Sequence, residues 1–84
     1  MTKEMKEAWG RFATAARKVE AGLPVDLESA TRALIRSHPQ VLERMMVAQA
    51  KIRSYPGGLA PGVERVAAVV DRVLADERAR QEGL

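Results

Sequence analysis

The sequence predicts an all-α fold, a small bundle of four helices, on three observations. Apolar residues recur at helical spacing along most of the chain. Capping residues, glycines and prolines divide that pattern into four runs. Only one sizeable loop, Tyr55 to Gly62, interrupts them, so the other connections are short turns.

The first helix carries Met5, Trp9, Phe12, Ala16, Val19 and Leu23 at alternating steps of four and three, a seam no strand produces. Thr2 is placed to cap its start. Gly22 suits the left-handed residue that ends a helix, and Pro24 forbids continuation. Gly10 lies inside this helix at a cost of about 1 kcal/mol relative to alanine. It is expected either to admit a neighbouring backbone or simply to be tolerated.

The second helix opens at Asp26 and turns Leu27, Ala30 and Leu34 inward. His38-Pro39 closes it, because the residue before proline avoids the α region. Pro39 then suits the first position of a third helix capped by Ser37 or His38, running to about Ser54. A single helix kinked at Pro39 is the alternative. The fourth helix follows the loop, with Val63, Val66, Val70 and Val73 on one stripe and Ala67 and Leu74 beside it. Asp76 to Glu82 is almost wholly polar, so residues 76–84 are expected to project beyond the core as a frayed tail of the single 1–84 domain.

The third helix is apolar beyond one stripe. Val41, Met45, Ala48 and Ile52 make one row, Leu42 and Met46 a second, and Val47 and Ala50 continue round. A helix of that kind is either central in its domain or pressed against another chain. It is expected here to be the most central helix. Leu42, Met46, Val47 and Ala50 are the candidate partner-binding residues.

Composition narrows the function classes. The 84 residues include no cysteine, which excludes disulfides and thiolate metal sites. Much of the 46% hydrophobic content is alanine, so the core is lean, and a homo-oligomer, a dimer first, is the natural remedy. No run approaches the roughly 20 apolar residues of a membrane span. The charged start, Thr2 to Glu7, is unlike a signal peptide, so no membrane partner and a cytoplasmic setting are expected.

No catalytic motif emerges. The loop glycines lack the spacing of a phosphate cradle, with Leu59 and Val63 standing where glycine and lysine are needed. His38 is alone, without metal-ligand spacing or a cysteine to activate. The acidic residues lie among other charges, not in the apolar setting that raises a carboxylate pKa. The expectation is a non-enzyme without cofactor or metal.

Net charge is +3, and residues 1–56 hold ten Lys/Arg against six Asp/Glu. That surplus supports an alternative, a helix-turn-helix-like nucleic-acid-binding regulator of the compact format used by phages and plasmids. Gln40, Arg44 and Lys51 are then the base or phosphate readers, and Arg32, Arg36 and Arg53 the backbone contacts. Glu43 and the apolar Met46, Val47 and Ala50 on the same helix count against it. The leading expectation is a helical protein–protein interaction module, an adaptor, assembly subunit or inhibitor that self-associates.

Overall fold

The computed structural model describes residues 2–83. They form four helices, α1 (Lys3–Glu20), α2 (Leu27–Ser37), α3 (Val41–Arg53) and α4 (Pro61–Glu82). None of them is long and apolar enough to cross a membrane.

Local chemistry sets most of the boundaries. Thr2 Oγ1 accepts the Met5 N–H at 3.2 Å and caps α1. At the other end the Gly22 N–H reaches the Val19 carbonyl, and the Leu23 N–H reaches that of Lys18. Gly22 has φ of 85°, so these bonds form the expected left-handed termination. Leu23, thrown outward by that turn, is exposed. Asp26 caps α2 through both oxygens, accepting the Ser29 N–H at 2.9 Å and the Ser29 hydroxyl at 2.6 Å.

α2 and α3 are separate helices. His38 leaves the helical region at φ −138° and ψ 77°, as a residue before proline should. Pro39 and Gln40 form a tight turn, and α3 starts at Val41, two residues later than Pro39. Gln40 occupies the cap position without a side-chain bond. Ser37 and His38 therefore do not cap α3. Pro61 opens α4, with the Ala60 carbonyl accepting the Glu64 N–H at 2.8 Å.

α3 is not the central helix. α2 and α4 each pack against all three others, whereas α3 lies mainly on α4, touches α2 lightly and does not approach α1. α4 is the longest helix, with 22 residues against 13 for α3. At about 1.5 Å per residue it spans the whole domain. The core comprises Ala8 of α1, Leu34 and Ile35 of α2, Val41, Leu42 and Met45 of α3, and Val70, Val73 and Leu74 of α4. Met5, Trp9 and Phe12 pack against it from α1. Trp9 and Phe12 meet edge to face, with centroids 5.7 Å apart. Because α1 does not reach α3, Ala48 is exposed and Ile52 only half-buried, contrary to the row expected from spacing.

Of the segment 76–84 expected to project as a tail, Leu84 lies outside the described residues. Asp76 to Glu82 continues α4 as regular helix, and Glu77 is only 2% exposed, so this part does not project beyond the packed helices. The Glu77 carboxylate accepts Arg36 Nε at 3.0 Å and Arg36 Nη2 at 3.2 Å. Arg32 Nη1 stands 3.5 Å away, and Arg80 Nη1 at 3.9 Å. Hydrogen bonding from Arg36 holds the Glu77 carboxyl below its ordinary value of 4.5, against the opposing effect of burial.

Candidate interaction surface

The seam between α3 and α4 positions the surface. The two helices run antiparallel, with Arg53 of α3 beside Glu64 in the first turn of α4, Gln49 beside Ala67 and Asp71, and Leu42 near the end of α4. Gln49 Nε2 donates to the Ala67 carbonyl at 3.0 Å and to Asp71 Oδ1 at 2.8 Å. Arg53 donates to Asp71 Oδ2 from Nε at 3.0 Å and from Nη2 at 2.7 Å. Its Nη1 is bonded to Glu64. These bonds hold α3 on α4 by one edge and leave its outer side to solvent.

At about 100° per residue, Val41, Leu42 and Met45 point into the core, so Val47 lies diametrically opposite them. Val47 is accordingly 52% exposed. Glu43, one turn before it, and Lys51, one turn after, are exposed as well. Beside this outer face is a groove of about 500 Å³. Met46 and Ala50 line it from α3, and Leu74, Ala75 and Ala79 from α4. Arg78 and Glu82 charge its rim, and both also line a smaller depression running on to Pro39 and Glu43.

The four residues proposed from sequence as partner contacts separate. Leu42, at 7% exposed, belongs to the core. Its cluster includes Ile35 and Leu74, and Arg78, Gln81 and Glu82 line a depression beside it. Met46 is half-buried, packing on the core with one side and lining the groove with the other. Val47 and Ala50 are exposed.

The six residues proposed as nucleic-acid contacts separate as well. Arg32 is engaged by Glu28 at 3.1 Å, Asp76 at 3.4 Å and Glu77 at 3.5 Å. Arg36 is held by Glu77, and Arg53 by Asp71 and Glu64. Gln40, Arg44 and Lys51 are exposed. Among the described residues, the cations without a carboxylate within ion-pair distance or a backbone carbonyl partner lie on α1 and α3. They are Lys3, Lys6, Arg11, Arg17 and Lys18 on α1, and Arg44 and Lys51 on α3. The arginines of α4 are engaged, Arg65 among them, through the carbonyls of Val19 and Glu20. The basic surplus is thus divided between two helices that do not meet.

Sequence reasoning missed Gln49 and Glu77. A signal existed for Glu77, which stands seven, four and three residues after Val70, Val73 and Leu74, on the buried stripe. Gln49 lies on the α3 face between Leu42 and Met45 and shares the same kind of signal. Comparison with protein-family models, with curated proteins and with solved structures finds no match.

Proposed function

We propose that this chain is a non-enzymatic helical interaction module of the cytoplasm, whose contact surface is the outer face of α3. The observation that carries the reading is the position of Val47. It is a large apolar residue, half exposed, at the centre of a helix anchored on its opposite side by buried side chains. Gln49 and Arg53 bond that helix to α4, so a partner meets a face already formed in the single chain and less ordering entropy opposes binding. The adjoining groove adds Met46, an adaptable side chain suited to irregular contacts.

The nucleic-acid alternative has less behind it. Three of its six contacts, Arg32, Arg36 and Arg53, are engaged by carboxylates. Freeing a guanidinium from such a pair for a phosphate returns little net gain. Gln40, Arg44 and Lys51 alone share their helix with Glu43.

Sedimentation of the wild-type chain and of Val47→Asp tests the proposal, with a check for co-purifying protein. Val47→Asp is expected to abolish association, with itself or with a partner, while the helical signal is unchanged. A wild type that stays monomeric at high concentration and carries no Val47-dependent partner would overturn it. Salt-sensitive retention on a nucleic-acid column, lost in Arg44→Ala, would favour the alternative instead.

A further inference from the structure

We propose that α3 docks against α3 of a second copy, antiparallel, about a two-fold axis at Val47. This rests on α3 being the contact surface and adds the partner, the direction and the register. Pro39, Glu43, Val47, Lys51 and Tyr55 step by four residues, and all five are exposed. On a helix such a row is a ridge, and two ridges of this class pack side by side at a crossing angle of about −50°. Pro39 and Tyr55 extend the row into the turns at either end of α3.

The charges along the row choose the direction. Glu43 and Lys51 are two turns apart, too far to pair within one chain, and neither has an ion-pair partner among the described residues. A two-fold axis at Val47 sets Glu43 of each copy opposite Lys51 of the other, forming two ion pairs. Parallel docking in register would face Glu43 with Glu43 and Lys51 with Lys51. The register is chosen in the same way. Moving the axis half a residue, to between Val47 and Ala48, would oppose Arg44 with Lys51, a like-charge contact.

The apolar residues agree with the charges. Among the described residues the large hydrophobics most exposed are Leu23, Val47 and Tyr55, and the last two lie in this row. The axis sets Val47 against its own copy and Tyr55, 67% exposed, against Pro39 of the other chain. With one 13-residue helix per side the contact is small, so the dimer is expected to be reversible and concentration-dependent.

The experiment is a charge swap read by sedimentation velocity over a concentration series. Wild type is expected to dimerise, and Glu43→Lys and Lys51→Glu each to weaken dimerisation about tenfold or more, by turning two attractions into repulsions. An equimolar mixture of the two variants restores both ion pairs and is expected to form a heterodimer. Both positions are exposed, so circular dichroism should show each variant folded. Dimerisation of either variant at wild-type strength, or no recovery on mixing, would overturn the proposed register. Its failure remains separable from that of the contact surface: a dimer insensitive to these swaps but broken by Val47→Asp retains the surface and discards the antiparallel pairing.

Discussion

Arg36 and Glu77 form a two-point pair, Nε to Oε1 at 3.0 Å and Nη2 to Oε2 at 3.2 Å, that fastens the end of α2 to the last turns of α4. The parallel geometry of guanidinium and carboxylate is the strong form of this interaction. It matters more because the carboxylate is buried while the Arg36 side chain is half exposed. Removing the arginine would leave the buried carboxylate only the longer contacts of Arg32 and Arg80; removing the charge on Glu77 leaves Arg36 able to turn to water.

Glu77→Gln is therefore expected to lower stability by about 2 kcal/mol, at the modest end for a buried pair because its partner reaches solvent. The effect should depend on pH. The Glu77 carboxyl titrates lower in the folded chain than its ordinary value of 4.5, chiefly through the Arg36 hydrogen bonds. Its contribution is complete above that ordinary value and disappears as the pH falls through the lower folded value. Urea unfolding at a series of pH values should show wild type and variant converging in acid. A difference that is constant or that widens on acidification would contradict this account.

Gly62 stands in the first turn of α4 against the end of α1. A Cβ there would lie 2.5 Å from the Glu20 carbonyl oxygen, a backbone atom with little room to move. The same carbonyl accepts Arg65 Nη2 at 2.9 Å, so α4 satisfies an open carbonyl of α1 while pressing close to it. Gly62→Ala is expected to destabilise by about 1–3 kcal/mol despite its helical propensity. Thermal unfolding of the variant checks this; an unchanged or raised midpoint would refute it.

Gly10 is the contrasting case. An added Cβ would meet nothing within 4 Å, so no neighbouring backbone accounts for glycine at this position. Gly10→Ala is expected to stabilise by about 0.5–1 kcal/mol, the ordinary propensity difference at an exposed helical site. Thermal unfolding of Gly10→Ala beside Gly62→Ala should move the midpoint in opposite directions.

The two glycines illustrate what could be read from the chain. Features decided within a few residues were legible: the Thr2 and Asp26 caps, the left-handed Gly22, the break at His38-Pro39. Each depends on local backbone chemistry that neighbours in space do not alter. Which helices lie at the centre was not legible, because apolar content marks α3, while α2 and α4 are the helices that touch all the others and α1 never reaches α3. The candidate surface followed from that choice. Periodicity separated Met46, Val47 and Ala50 from Val41 and Met45, yet put Leu42 on the outer side with them, and could not say that α4 would remain helical beside it. Charge-rich sequence from Asp76 onward suggested solvent, and Glu77 with its arginines used those charges for packing instead.

Leu42 and Val47 provide the sharpest test of that corrected placement. Both were candidates for one binding row, and the structure assigns them opposite roles. Leu42 is buried between α2 and α4 with Ile35 and Leu74 in the same cluster, so Leu42→Ala leaves a cavity. The expected cost is about 2–5 kcal/mol, the range for truncating a buried leucine. Val47 has its side chain in water in the single chain, and Val47→Ala should change monomer stability by no more than about 0.5 kcal/mol. Urea unfolding at low protein concentration, where association contributes least, measures both. Equal and large losses would place Val47 in the core after all. A negligible loss for Leu42→Ala would show that α4 does not cover it and return the residue to the binding surface.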